Sequence, residues 1–265
     1  MTYRQFLEFF ISPLAGLLAV LLYARLHGAT RRGFPSRKAL GFLGGLAVVA
    51  VAYTGPWDSW LIRNSVWWYP AGSVLGTFAR VPAEEYIFMV MLTLITGGWT
   101  LSLVVSRSRD LRFEVRRPAL GWSVACWAGL AAAGVTMCFV SPRWLYLGSM
   151  LAWFGLPLAV QAAFGAVVMR STRALRLAGL ALTPLLWILD AVAINARAWQ
   201  LSYTHTIGLR VAGLPVEEAI FFLLVDLLVV NSVVLVTFHP DPWQVPEFSS
   251  QHHTGPAKSA QARSN

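Results

Sequence analysis

The chain has 265 residues, of which 57% are hydrophobic and only 12% are charged, and its mean hydropathy is +0.59. Soluble domains carry about a quarter charged residues, so a soluble globular protein is excluded. The net charge of +9 lies in short loops between apolar runs, not on an aromatic-studded basic face, and this excludes a nucleic acid partner. Two cysteines in one apolar run indicate neither a disulfide framework nor a metal site.

Seven apolar segments, numbered here as predicted helices 1 to 7, occupy residues 6–26, 39–54, 82–105, 119–140, 144–169, 175–196 and 215–238. Most are about the length that crosses a bilayer as a helix, which predicts an all-α, polytopic membrane protein. The first lacks a cleavage site and is expected to be retained. The stretch GPWDSWLIRNSVWWYPAGSVLGTFAR, after the second, predicts an interfacial or partly re-entrant connection. The polar tail, 241–265, is expected to be disordered.

The basic residues predict the orientation in the membrane. Most of the 21 Lys and Arg residues fall in the tail and in the loops that join helices 1 to 2, 3 to 4 and 5 to 6. These segments share one side of a seven-helix protein. Because short cytoplasmic loops are enriched in Lys and Arg, we expect the N-terminus outside and the C-terminus in the cytoplasm, in the cell membrane.

One pattern of residues occurs twice. The first copy consists of Asp58, Trp67, Gly76 and the run P-A-E-E-Y-I-F at 82–88. The second consists of Asp190, Trp199, Gly208 and the run P-V-E-E-A-I-F at 215–221. Helices 1–3 thus correspond to helices 5–7. Two three-helix copies joined directly would lie upside down relative to each other in the membrane, whereas the additional helix 4 gives both copies the same orientation. The sequence therefore predicts a parallel duplication. The predicted units are a first repeat (1–110), a connecting helix (111–142), a second repeat (143–240) and the tail (241–265).

Each copy carries two adjacent glutamates: Glu84 and Glu85, then Glu217 and Glu218. Proline suits the first helical position, so the glutamates fall in the first turn, where a negative charge is stabilised. Capping is the simple structural interpretation. An ionisable group at full membrane depth costs about 2.5–3.5 kcal/mol, so the duplication, with an aspartate before each pair, favours a functional site. Neighbours on a helix point about 100° apart, so one glutamate of each pair can face the bundle as a buried, protonated general acid.

Three further polar residues lie in the predicted helices. Asp226 lies in the middle of helix 7, and a structural hydrogen bond and a place in the site are both open interpretations. Asn195 and Asn231 are predicted to form hydrogen bonds between helices.

The motif P-x-E-E-x-[IL]-F, present twice and each time preceded by Asp and Trp, resembles the lycopene cyclases of the heterodimeric bacterial type in their fused, single-chain form. The resemblance covers roughly residues 1–240. It implies a lycopene β-cyclase, which protonates the acyclic ends of lycopene and closes them to β-ionone rings, yielding γ-carotene and then β-carotene. This is an isomerisation without net redox change. It implies partners in the carotenoid substrate and the bilayer, and it is compatible with association with other enzymes of the pathway.

The resemblance also implies roles for particular residues. The implied catalytic residues are Glu84, Glu85, Glu217, Glu218, Asp58 and Asp190. The implied substrate-binding residues are Trp57, Trp60, Trp67, Trp199, Phe88 and Phe221. Electron-rich rings can stabilise a carbocation, although anchoring at the bilayer interface is the alternative for each tryptophan. No cofactor is expected, because Gly97-Gly98 does not fit a dinucleotide-binding fingerprint.

Other functional classes compete with this one. A retinal photoreceptor needs a Schiff-base lysine, and no predicted helix contains lysine. A proton-coupled transporter is the non-enzyme alternative, since paired acids in a duplicated bundle also suit proton coupling. A cyclase or hydratase that acts on another carotenoid, such as a C50 carotenoid, is the alternative within carotenoid chemistry.

Overall fold

A computed structural model describes residues 1–30, 34–107 and 120–238. Within these ranges seven helices are long and apolar enough to cross a membrane, which confirms the predicted all-α, polytopic fold. They are Tyr3–Thr30 (α1), Ser36–Arg63 (α2), Ala83–Arg107 (α3), Leu120–Val140 (α4), Leu145–Ser171 (α5), Arg173–Asn195 (α6) and Val216–Phe238 (α7). The predicted disordered tail and the predicted boundary at 110/111 lie outside the described residues.

Three of the helices have local irregularities. A π-helical turn, Leu7–Ile11, lies in α1, and a 3-10 turn, Pro142–Trp144, precedes α5. A second 3-10 turn, Leu180–Leu182, interrupts α6 just before Pro184. Proline lacks the N–H that a continuous α-helix needs at this position, so the interruption of α6 has a local cause.

The predicted end of the second helix, at residue 54, is wrong. Helix α2 continues to Arg63 with Pro56 inside it. In membrane helices neighbouring groups compensate for the hydrogen bond that an interior proline removes. The first part of the predicted irregular connection is therefore helical, and Asp58 lies in the C-terminal part of α2.

Helix α3 forms the centre of the bundle and α4 its periphery. Two thirds (67%) of the apolar window of α3 is buried, against 6% for α4. Helix α3 packs on α1, α2 and α7, whereas α4 packs chiefly on α5. A Cβ added at Gly134 of α4 would lie 2.5 Å from the carbonyl oxygen of Gly148 on α5. Small residues thus let these two backbones approach closely, as is common between membrane helices.

Short β-strands lie within the loops at one end of the bundle. They are Trp67–Trp68 (β1), Thr77–Phe78 (β2), Val81–Pro82 (β3), Gln200–Leu201 (β4), Arg210–Val211 (β5) and Leu214–Pro215 (β6). Strands β1 and β4 are antiparallel, with Trp68 opposite Gln200. These two residues both directly follow the repeated tryptophan, so the two copies meet across a local two-fold axis.

Each copy also forms the same β-hairpin before its glutamates, β2–β3 in the first and β5–β6 in the second. The turn residues of both hairpins have positive φ: Ala79 and Arg80, then Ala212 and Gly213. This is the two-residue turn whose twist matches paired strands. The two copies of the motif therefore have the same local structure.

Two details of the predicted motif are wrong. Pro82 and Pro215 end strands β3 and β6 and do not begin helices, because the next N–H groups still bond back to the hairpin loops, Ala83 to Gly76 at 2.9 Å and Val216 to Leu209 at 3.0 Å. The same bonds make Leu209 the counterpart of Gly76. The second copy has one residue more between its glycine and its proline than the first copy. This extra residue is consequently Gly208, whose φ of +82° suits glycine.

Candidate functional site

The helix ends and loops at the hairpin end of the bundle enclose one small cavity. Its lining comes from both copies of the motif: Tyr3, Asp58, Trp67, Tyr69, Glu85, Phe88, Tyr146, Asp190, Trp199, Glu218, Phe221 and Phe222. The cavity volume is about 40 Å³, which is room for a few water molecules at roughly 10–15 Å³ each. Four of the predicted acids thus meet at one place, surrounded mainly by aromatic rings.

The second glutamate of each pair faces the cavity and accepts a hydrogen bond from a tyrosine. Tyr69 donates to Oε2 of Glu85 at 2.8 Å, and Tyr146 donates to Oε1 of Glu218 at 2.8 Å. Tyr3 lines the cavity with Glu85 and stacks on Tyr69, with the ring centroids 5.9 Å apart. The tyrosines therefore fix the orientation of both inward carboxyl groups.

Tyr69, which lies in the loop after α2, remains a hydrogen-bond donor beside Glu85. Burial, and next the nearby carboxyl group of Glu85, hold the pKa of Tyr69 well above its ordinary value. Its hydroxyl is therefore protonated at neutral pH, and it donates to the carboxyl group instead of competing with it for a proton.

The first glutamate of each pair is buried but does not line the cavity. Oε1 of Glu84 accepts the Leu75 N–H at 2.8 Å, and Oε1 of Glu217 accepts the Ile207 N–H at 2.6 Å. Their side chains hold the loop before each hairpin against the start of the helix. The Oε2 atoms of both have no hydrogen-bond partner in the described part of the chain. The structure thus separates two positioning glutamates from two that reach the cavity.

The two aspartates of the motif lie across the cavity in the C-terminal parts of α2 and α6. Asp58 is 3% exposed and Asp190 is 2% exposed. Oδ2 of Asp190 is buried without a hydrogen-bond partner among the described residues. Because buried polar atoms are nearly always paired, this oxygen is available to water or a ligand in the cavity.

Asp226 lies outside this cavity. It accepts hydrogen bonds from the Thr96 and Thr183 hydroxyls, at 2.7 and 2.6 Å. This side chain therefore ties α7 to α3 and α6, which settles the two open interpretations in favour of the structural one. Asn231 likewise bonds Gln161 of α5, at 3.0 Å, whereas Asn195 is exposed at the end of α6.

The structure brings together most, but not all, of the predicted aromatic residues. Trp67, Trp199, Phe88 and Phe221 line the cavity. Trp57 lies directly behind the wall, with its ring stacked on Phe221 at a centroid distance of 6.1 Å.

Trp60 is placed away from the acids, at 42% exposure. It lines, with Trp57, a separate apolar groove of about 470 Å³ between α2, α4 and α5. Helix α2 extends past the predicted end, and its helical rotation turns Trp60 away from Asp58. Trp60 therefore lies outside the acid cavity.

The sequence interpretation missed the three tyrosines of the cavity. Tyr3 and Tyr146 stand at the beginnings of α1 and α5, and each helix later carries the run Pro-Leu-Ala, at 13–15 and at 157–159. That shared pattern would have extended the repeat into helices 1 and 5. Tyr69 has no such signal, because the second copy has Leu201 at the corresponding place.

Comparison with known proteins agrees with this site. The family model described as lycopene cyclase matches residues 8–101 and 127–238, which include every acid of the cavity. A lycopene beta-cyclase of Halobacterium salinarum is 32% identical over 244 residues, which are 92% of this chain and 99% of that protein. A bifunctional lycopene cyclase/phytoene synthase of Phaffia rhodozyma is 32% identical over 70% of this chain and 30% of its own length.

No solved structure matches the chain. The family model covers well over half of the sequence, and the match to the archaeal relative extends over nearly the full length of both proteins. The duplicated acids that converge on one cavity lie inside both matched segments. This multi-pass membrane protein therefore belongs to the lycopene cyclase family.

Proposed function

We propose that the protein is a lycopene β-cyclase that starts ring closure with a proton from a buried carboxyl group. The observation that carries the proposal is the cavity in which Asp58, Glu85, Asp190 and Glu218 meet among aromatic rings. Both copies of the motif supply one aspartate and one glutamate, so the active site is built from two matched halves.

The protonation state follows from the surroundings of the acids. The lining contains four carboxyl groups and no Lys, Arg or His. Ionised groups in an apolar interior are costly unless they are paired with opposite charge. The cavity therefore favours neutral carboxylic acids, and a neutral acid positioned against an alkene is the group that general acid catalysis requires.

The chemical steps balance without a redox partner. Glu85 or Glu218 delivers its proton to C2 of the acyclic end group, which leaves a cation at C1. The C1–C6 bond then forms and moves the cation to C5, and loss of the C6 proton to a carboxylate of the cavity gives the ring double bond. One proton enters and one leaves, so the product is an isomer of the substrate.

The remaining residues of the lining support these steps. The faces of Trp67, Trp199, Phe88 and Phe221 surround the acids and would stabilise the cations at C1 and C5. The tyrosines hold the inward carboxyl groups in position. Asp58 and Asp190 would relay the released proton to solvent through the shared cavity.

The small cavity bears on how a carotenoid binds. A volume of about 40 Å³ is far below the 300–1,000 Å³ of ordinary ligand pockets. The end group must therefore displace part of the aromatic wall when it enters. The apolar groove at Trp57 and Trp60, of about 470 Å³, lies on the other side of that wall. We assign it to the polyene chain of the bound substrate.

Product analysis in a lycopene-accumulating host tests the proposal. Membranes that contain the protein should convert lycopene to γ-carotene and then to β-carotene, as measured by chromatography. The matched control is the double variant Glu85→Gln, Glu218→Gln at equal membrane abundance, which should leave lycopene unchanged. Unchanged lycopene with the unmodified, correctly inserted protein would refute the assignment and point to another carotenoid or to proton-coupled transport.

A further inference from the structure

A second groove lies between helices α4, α5, α6 and α7, at the end of the bundle opposite the acid cavity. Its volume is about 430 Å³, which is within the range of ordinary ligand sites. Its polar end is formed by Arg170, Arg173 and Arg176. Its other walls are mainly apolar and include Trp127 and Leu158. The groove thus presents three cationic side chains above an apolar surface.

The guanidinium of Arg176 is held in place by neutral groups. Its Nε donates to Oδ1 of Asn231 at 2.7 Å, and its Nη1 donates to the Met169 carbonyl at 3.1 Å. Asn231 is itself fixed by Gln161, whose Oε1 accepts from Asn231 Nδ2 at 3.0 Å. This chain of hydrogen bonds orients the side chain but does not compensate its positive charge.

No carboxylate neutralises this charge in the part of the chain that the structure describes. The ion pair described there joins Arg4 and Glu8, on α1. Asp226 precedes Asn231 on α7, but both of its oxygens accept hydrogen bonds from threonine hydroxyls. Arg176 is partly buried, and burying a charge is costly unless it is paired. Among the described residues, the positive charge of this site therefore has no compensating anion.

We propose that this groove binds an anionic phospholipid. Arginine pairs favourably with phosphate oxygens through two parallel N–H donors, and basic pockets between membrane helices on the cytoplasmic side suit anionic headgroups. The enrichment of Lys and Arg in the loops on one side of the membrane predicts that the three arginines face the cytoplasm. The phosphate lies at the arginines, and an acyl chain lies along Trp127, Leu158 and Leu227. The apolar wall favours a lipid over a free anion.

The position of the groove gives the lipid a structural role. Helix α4 packs chiefly on α5, yet its residues Ser123 and Trp127 line the groove together with residues of α6 and α7. A lipid in the groove therefore bridges α4 to the second half of the bundle. Bound lipid raises the stability of the folded protein by mass action.

Lipid titration of the purified full chain in detergent tests this inference, with native mass spectrometry for binding and thermal unfolding for stability. The probes are phosphatidylglycerol, phosphatidylcholine and inorganic phosphate at equal concentration. The double variant Arg173→Gln, Arg176→Gln should bind phosphatidylglycerol about tenfold or more weakly, since it loses charge-assisted hydrogen bonds. The single variant Arg170→Gln, at an exposed position, provides a test that does not depend on the folding of the double variant.

The matched control is Arg25→Gln, because Arg25 lies on the same side of the membrane, outside the groove, and donates to the Ser106 hydroxyl at 2.9 Å. This control should bind phosphatidylglycerol like the unmodified protein. Equal binding of the two lipids, or unchanged phosphatidylglycerol binding in the groove variants, would overturn the proposal. Full stabilisation by inorganic phosphate alone would show a simple anion site and would also overturn it.

Discussion

The substitution Glu85→Gln separates proton donation from structural support. The amide has nearly the shape of the carboxyl group, and its oxygen can still accept the hydrogen bond from Tyr69, which is 2.8 Å long in the structure. It cannot deliver a carboxylic acid proton. General acid catalysis typically contributes 10²–10⁴-fold to a rate, so the turnover rate should fall by about 10²–10⁴. At 1.36 kcal/mol per factor of ten, this is about 3–5 kcal/mol of activation free energy.

The neighbouring substitution, Glu84→Gln, is the matched control. Its amide oxygen can still accept the Leu75 N–H, but its NH₂ group enters a buried site where Oε2 had no partner among the described residues. An unsatisfied buried donor costs roughly 1–3 kcal/mol. We therefore expect lower stability of the folded protein and a nearly unchanged rate per folded molecule, which is the opposite of the result at Glu85.

The assay measures lycopene conversion in proteoliposomes and, in parallel, thermal unfolding of each variant in detergent. Rates are divided by the amount of folded protein. Full turnover of Glu85→Gln would refute Glu85 as the proton donor, and full turnover of the double variant Glu85→Gln, Glu218→Gln would refute the proposed role of the inward glutamates. A similar loss of rate in the folded Glu84→Gln variant would refute the distinction between positioning and inward glutamates.

The structure supports three further predictions. Tyr146→Phe removes the hydroxyl that orients its glutamate, so turnover should fall by about tenfold, a smaller loss than that from removing an acid; an unchanged rate would contradict this role. Reporter fusions after residues 72 and 110 should read outside and cytoplasmic, respectively, and the reverse pattern would overturn the proposed orientation. Gly134→Leu should destabilise the protein by about 1–3 kcal/mol or more through overpacking, whereas Gly129→Leu, with open space at its Cβ, should unfold like the unmodified protein.

The fold could be predicted from the sequence because its strongest signal is the length of the apolar runs along the chain. Apolar runs of membrane-spanning length predicted all seven helices. The second helix was cut short because Gly55 and Pro56 are breakers in isolation, whereas packing in the bundle maintains the helix through them. The predicted starts of α3 and α7 were one residue too early because the N–H groups of Ala83 and Val216 still donate hydrogen bonds to the loops before the hairpins. These bonds are tertiary features that the local sequence does not show.

The candidate site was only partly predictable. The duplicated acids identified its chemistry, but helical geometry alone does not say which glutamate of a pair points inward. The positions of Leu75 and Ile207 decide this, because their N–H groups capture the first glutamate of each pair. The tyrosines were missed because Tyr3 and Tyr146 lie far in sequence from the acids that they contact. Trp60 lies outside the acid cavity because nearness in sequence to Asp58 does not fix the face of the helix.

Cyclisation in heavy water tests the central claim, proton-initiated ring closure by a buried carboxylic acid, most directly. The acid must be reloaded from solvent between turnovers, so its proton exchanges with deuterium before each reaction. Mass spectrometry and NMR of the β-carotene product should then show one deuterium at C2 of each new ring, with the original C6 hydrogen lost. Product rings that carry no deuterium at C2, after exchange during work-up is excluded, would contradict the account.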